Sequence, residues 1–229
     1  MKLSRPINCE GRYVQMSNMV LAIFFACFGF HLYCAATGKN MARFCSKPFL
    51  MPLLLLYYVT SVPSPDALII LALIFSTLGD IFLLWPTGQA TFIAGLSAFL
   101  TAHVMYIITF SRSVDWTHAI PAWFFLAMVA YFAYGAVLYK KLQPYLGHMK
   151  APFLAYSAVI LTMSGMCLLM ARSMGLAFIL PFVGTLLFIA SDSILSFDTF
   201  KGAIPRGDTY IMATYVMAQF LIVQGMLRA

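Results

Sequence analysis

The chain has 229 residues, of which 62% are hydrophobic and 9% charged, with a mean hydropathy of +0.90, where a soluble domain carries about 25% charge. That excludes a soluble enzyme, a disordered protein, a coiled coil and a secreted disulfide scaffold, and leaves an all-α integral membrane protein. The net charge of +7 comes from bases scattered between apolar stretches, which fits loop cations beside anionic headgroups rather than nucleic acid.

A hydrocarbon core of about 30 Å takes roughly 20 apolar residues per helix, and that ruler predicts eight spans. The first, Ser17–Ala36, is too long for a signal-peptide core and is expected to direct insertion itself. Cys45–Val62 follows and carries Lys47-Pro48-Phe49-Leu50 near its start. After the Pro63-Ser64-Pro65 corner comes Asp66–Trp85, with Asp80 late in an otherwise apolar run. Pro86-Thr87-Gly88 turns the chain into Ala90–Phe110, where Phe99, His103 and Tyr106 share a stripe. Ala119–Leu138 and Ala151–Ala171 come next, the latter preceded by Lys150. Met174–Phe197 carries Asp192, and Thr209–Leu227 carries the stripe Tyr215, Gln219 and Ile222. The connections leave no room for a soluble domain, so residues 1–229 read as one membrane domain. Bases divide six to eight between the two surfaces, counting Lys2, Arg5, Arg12 and Arg172 among the six, so the positive-inside rule sets no orientation.

The order of motifs points to an internal repeat with halves 17–110 and 119–228. Lys47-Pro48-Phe49-Leu50 matches Lys150-Ala151-Pro152-Phe153-Leu154. Gly79-Asp80-x-x-Leu83 matches Ser191-Asp192-x-x-Leu195, and Phe99-x-x-Ala102-His103 matches Tyr215-x-x-Ala218-Gln219. Matches offset by four spans describe two parallel four-helix halves.

Asp80 and Asp192 are the residues that break the apolar pattern. A mid-helix acid costs about 2.5–3.5 kcal/mol to insert and faces a bundle interior or wet cavity; the competing reading is a structural Asp hydrogen-bonded to its neighbours. Both lie late in odd-numbered spans, about 7 Å below one surface at 1.5 Å per residue, so they can share a site. In low dielectric they would not both ionise readily, which yields one proton donor and one carboxylate for general acid–base work. Lys47, His31, Ser76 and Thr77 converge on the same leaflet, and Lys150 starts its span there. His103 and Gln219 read either as site residues or as interhelical hydrogen-bond partners. Tyrosines near span ends read more readily as interfacial anchors. A zinc site needs about three protein ligands, and the spans hold only His31 and His103 beside the acids, so no metal or other cofactor is expected. No Gly-x-Ser-x-Gly nucleophile motif is present.

Lys47-Pro48 with Pro52, Phe75-Ser76-x-x-Gly79-Asp80-x-x-Leu83, and Gly95 to His103 with Tyr106 form a set with two later motifs. These are Ser191-Asp192-x-x-Leu195-x-x-Asp198-Thr199-Phe200 and Met212-x-Thr214-Tyr215-x-x-Ala218-Gln219. The set resembles the YhhN-like lysoplasmalogenases, eight-span membrane enzymes, over spans two to eight. The Asp198-Thr199-Phe200 tail is similar to that of animal members. The resemblance implies hydrolysis of the vinyl ether bond of lysoplasmalogen, releasing a fatty aldehyde and glycerophosphoethanolamine or glycerophosphocholine. It implies Asp80 and Asp192 as the catalytic pair and Lys47, His103, Tyr106, Tyr215 and Gln219 as substrate-binding residues. It also implies an endoplasmic reticulum membrane in a eukaryote, or the inner membrane in a bacterium. Two rival readings use the same carboxylates. A proton-coupled transporter would show Gly/Pro-broken helices at matching midplane positions, and Pro181 has no counterpart in span three. An intramembrane aspartyl protease would carry Gly where Thr77 stands before Gly79-Asp80.

Overall fold

A computed structural model describes residues 7–84 and 88–228 of the chain. Trp85, Pro86 and Thr87 lie outside the described residues, as do Lys2 and Arg5 and the side chains of Arg12 and Arg172. Among the described residues the fold is all-helical, without strands. Eight long helices run in chain order: α1 Ile7–Ala36, α2 Asn40–Ser61, α3 Ala67–Leu84, α4 Gln89–Arg112, α5 Ala122–Leu142, α6 Lys150–Leu169, α7 Ile179–Ser196 and α8 Gly207–Met226. Seven are long and apolar enough to cross a membrane; α2 has the length, at 22 residues, but Lys47, Pro48 and Pro52 dilute its apolar run. The protein is therefore a multi-pass membrane protein.

The first, second and fourth helices start before the expected spans, whereas α7 starts at Ile179 rather than Met174 and α5 at Ala122 rather than Ala119. α1 is already helical at Ile7, ahead of the expected Ser17, and α2 begins at Asn40 rather than Cys45, because an apolar count sees only the hydrocarbon layer and a helix runs on through the headgroup region. Local signals set the ends. Asp66 accepts the Leu68 N–H on Oδ1 at 2.7 Å and donates its own N–H to the Tyr58 hydroxyl at 3.0 Å, which starts α3 against α2. Gly202, at φ 138°, stops the helical path after a π-helical turn over Phe197–Lys201 that carries α7 onward by five residues. There Asp198 Oδ1 accepts the Ile204 N–H at 2.6 Å, folding the chain back into α8.

Close packing without a hydrophobic drive between helices needs small residues. At Gly79 of α3 a Cβ would lie 2.6 Å from the Phe99 ring of α4, and at Gly95 of α4 it would lie 2.9 Å from Leu83 of α3. At Gly184 of α7 it would lie 2.8 Å from the Ala218 carbonyl oxygen of α8. The most extensive helix pairs are accordingly α7–α8 and α3–α4, followed by α1–α2. The core runs through Phe24, Leu54, Leu73, Tyr106, Phe188 and Val216. α5 stands at the edge: only Phe124 and Leu142 of it are buried, and it packs against α6.

Candidate active site

Asp80 lies four residues before Leu84, the last residue of α3, and Asp192 four before Ser196, where α7 passes into the π-helical turn. Asp80 is buried, at 2% exposure. Its Oδ1 is 3.5 Å from Lys47 Nζ of α2, and its Oδ2 accepts a hydrogen bond from the Tyr215 hydroxyl of α8 at 3.0 Å. Lys47 is turned inward; its side chain is 16% exposed. Just outside it, Arg43 pairs with Asp208 and ties the start of α2 to the start of α8. This is the expected use of an intramembrane charge, matched by an opposite one and a hydroxyl donor.

One turn before Asp80, Ser76 accepts a hydrogen bond from Gln219 Nε2 at 2.9 Å, and Gln219 Oε1 accepts one from the Tyr106 hydroxyl at 2.6 Å. All three are buried. Four of the residues singled out in the sequence, Asp80, Tyr215, Gln219 and Tyr106, thus meet along the inner faces of α3, α4 and α8. His31 sits apart, with Nδ1 at 2.8 Å from the Ser46 hydroxyl. Lys150 is exposed at the start of α6.

Asp192 occupies a second environment. It is half-buried, and its Oδ2 accepts a hydrogen bond from the Tyr156 hydroxyl of α6 at 2.6 Å. The two carboxyl groups have different hydrogen-bond partners, and an aromatic wall runs from Tyr215, the partner of one, to Tyr156, the partner of the other. Tyr215 packs edge-on against Phe99 at 5.6 Å and Phe188 at 5.4 Å, and His103 packs edge-on against Phe188 at 4.5 Å and Tyr156 at 5.4 Å. His103 is fully buried in this wall, and neither ring nitrogen has a hydrogen-bond partner among the described residues.

Asp192 and Tyr156 open on a pocket enclosed by α4, α5, α6, α7 and the end of α3, with about 760 Å³ of empty space, its open mouth included. Its walls are apolar, among them Leu83, Leu96, Phe99, Leu138, Phe153 and Ile160. The π-helical turn adds Thr199 and Phe200. Asp192 is the acid among its lining residues; Asp80 is not one of them, and its partner Tyr215 packs on the lining ring of Phe99. Such a pocket accepts an alkyl chain and presents a carboxyl group to one part of it.

Tyr156 is the residue that sequence reasoning passed over. The signal available was a tyrosine two turns into an apolar span, away from the interface where tyrosines anchor. The same signal marks Tyr131, which shares a 2.6 Å hydrogen bond with Ser164 between α5 and α6.

A family model described as the YhhN family matches residues 42–226, which include every site residue named here except His31. Among curated proteins the chain is similar to lysoplasmalogenase TMEM86B of Homo sapiens, with 34% identity over 158 residues, 69% of this chain and 62% of the relative. Lysoplasmalogenase TMEM86B of Rattus norvegicus is 32% identical over 183 residues, 80% of this chain and 71% of the relative. Lysoplasmalogenase TMEM86A of Bos taurus is 29% identical over 192 residues, 82% of this chain and 76% of the relative. The match spans less than two thirds of the human relative's own length. No solved structure matches the chain.

Proposed function

The chain belongs to the YhhN family, and from that we propose that it is a lysoplasmalogenase, an alkenyl ether hydrolase working inside the membrane. The substrate is a single-chain lipid with a vinyl ether at its first glycerol carbon, and the products are a fatty aldehyde and glycerophosphoethanolamine or glycerophosphocholine. The observation that carries this reading is the apolar pocket with Asp192 on its wall. It holds a hydrocarbon chain and puts a carboxyl group beside it below the headgroup level, where the vinyl ether of a lysolipid lies.

The chemistry suits two carboxylates. Vinyl ether hydrolysis starts with proton transfer to the alkene carbon, giving an oxocarbenium ion that water then attacks; the hemiacetal collapses to aldehyde and alcohol. One Asp supplies the proton while the other stays ionised, the partition that two carboxyl groups in a low-dielectric bundle favour. Lys47, His103, Tyr106, Tyr215 and Gln219 form the polar side of the site in this reading. Lys47 and Tyr215 are supported by their bonds to Asp80, and Tyr106 and Gln219 by the chain they form with Ser76. His103 is supported by two buried ring nitrogens without hydrogen-bond partners among the described residues. An ammonium has three donors, so Lys47 keeps two for the lipid phosphate. We assign the enzyme to the endoplasmic reticulum membrane, on its animal-like Asp198-Thr199-Phe200 tail and mammalian relatives.

The test is aldehyde release from lysoplasmalogens of both headgroups by purified protein in detergent, beside the Asp80→Asn and Asp192→Asn variants. Aldehyde from wild type and a loss of at least a hundredfold in both variants is the expected result. A folded wild-type protein that releases none from either headgroup removes the reading. Proteoliposome uptake without conversion would then favour the transporter, and cleavage of a membrane peptide the protease.

A further inference from the structure

The two Asp residues sit at matching places in the sequence repeat but have different partners, and the difference follows the places where the repeat is broken. Asp80 has a cation from the helix before it, Lys47 of α2, and a hydroxyl from α8, Tyr215. In the register of the repeat, Lys47 corresponds to Lys150 and Tyr215 to Phe99. Lys150 is exposed at the membrane-surface end of α6, and Phe99 has no hydroxyl. Among the described residues Asp192 therefore keeps one side-chain hydrogen-bond donor, Tyr156, and no cation, in a pocket lined mostly by apolar side chains with the hydroxyls of Tyr134, Ser157, Ser193, Ser196 and Thr199. Phe99 lines the pocket and packs at 5.6 Å on Tyr215, the hydroxyl partner of Asp80, while Asp80 itself is not among the lining residues.

We propose that Asp192 is the acid–base residue that touches the substrate, and that Asp80 is a positioning residue whose charge stays with Lys47 and never meets the lipid. An opposite charge at close range favours an ionised carboxyl, and an apolar surround without a cation favours a protonated one. The proposal rests on the alkenyl ether hydrolase reading and assigns the roles within it. Asp192 gives its proton to the β-carbon of the vinyl ether, the C=C electron pair forms the new C–H bond, and the ether oxygen lone pair forms the oxocarbenium. Water adds to the oxygen-bearing carbon of that ion and passes a proton to the Asp192 carboxylate, giving the hemiacetal. Asp192 returns this proton to the glycerol oxygen as its bond to carbon breaks, and takes the hydroxyl proton of the hemiacetal as the aldehyde forms. It ends protonated, and one water has been consumed. Tyr156 holds the carboxyl group toward the pocket throughout.

The first experiment reads protonation and access without relying on turnover. Dicyclohexylcarbodiimide, an apolar reagent, reacts with protonated carboxyl groups inside a bilayer, and the adduct is located by peptide mass spectrometry. Asp192 is expected to be labelled and Asp80 spared, with labelling of Asp192 reduced at least fivefold by an unhydrolysable 1-alkyl lysolipid. Preferential labelling of Asp80, equal labelling of both, or labelling of neither overturns the assignment. If Asp192 alone is labelled and protected but wild type releases no aldehyde, the assignment of the carboxyl groups stands and the hydrolase reading fails.

The second experiment compares kinetics. Asp192→Asn is expected to lose about a thousandfold in kcat, the scale of general acid–base catalysis, while binding of the alkyl lysolipid is retained. The double variant Lys47→Met/Asp80→Asn removes the ion pair as a unit and is expected to lose less than about thirtyfold in kcat, with KM raised because the Lys47 contact to the lipid phosphate is gone. A folded double variant as inactive as Asp192→Asn, or an Asp192→Asn enzyme within tenfold of wild type, overturns the proposal.

Discussion

Asp80 shows what a single carboxyl group does to a membrane helix bundle. Its charge is offset by Lys47 at 3.5 Å, and removing one member of such a pair leaves the other without compensation. Asp80→Asn is expected to destabilise the protein by about 3 kcal/mol, while Lys47→Met/Asp80→Asn loses about 1 kcal/mol or less, because no lone charge remains. Thermal unfolding in detergent measures both, and equal losses would refute the coupling. The acids were legible in the sequence because a carboxyl group inside an apolar run breaks the pattern. Tyr156 was not, because its partner is 36 residues away on another helix, and a tyrosine in a span has ordinary uses as packing and anchor. Its hydroxyl is worth about 1.5 kcal/mol as a hydrogen bond to a charged group, or roughly a factor of ten. Tyr156→Phe is expected to lower kcat by about that factor with KM little changed; an unchanged kcat would separate Tyr156 from the chemistry.

At the scale of elements, the glycines set which helices approach closely, and their neighbours decide the consequence of filling them. At Gly184 the added Cβ meets the Ala218 carbonyl oxygen, part of the α8 backbone, which has no side-chain torsion by which to move aside. Gly184→Ala is expected to destabilise by about 2 kcal/mol, within the range for overpacking. At Gly79 the Cβ meets the Phe99 ring, which can swing into the pocket it lines. Gly79→Ala is therefore expected to cost less stability but to raise KM severalfold, and a van't Hoff series beside a lysolipid titration tells the two apart. The apolar runs located the helices, and the offset of each Asp from its helix end followed directly. What the runs did not contain was the aromatic wall of Phe99, Phe188, His103 and Tyr156, which depends on how helices from both halves interlock. Nor did they contain the π-helical turn at Phe197–Lys201, which extends α7 and brings Thr199 and Phe200 to the pocket.

For the whole molecule, the potential metal ligands are dispersed. His31 lies on α1 and His103 on α4, and among the described residues no group of three His, Cys, Asp or Glu side chains is arranged to hold an ion. The proposed mechanism draws on carboxyl groups, hydroxyls and water alone. Aldehyde release is expected to be unchanged after exhaustive treatment with a chelator, and loss restored by added zinc would contradict it.

The composition of α2 has a consequence for how the protein is made. With Lys47 and Pro48 in its first half and Pro52 just past the middle, α2 falls short of the apolar content of the other seven long helices, and a lysine inside an apolar run opposes insertion, by up to about 2.5–3.5 kcal/mol at a helix centre and less toward an end. The partner that offsets that lysine, Asp80, is on α3 and leaves the ribosome about 33 residues later, as the numbering from 47 to 80 gives. α2 is therefore expected to wait in the translocon until α3 arrives, and the two to enter the bilayer as a hairpin. In a glycosylation-site reporter, α2 alone should insert poorly and α2 followed by α3 efficiently. Replacing Lys47 with Leu should let α2 enter unaided.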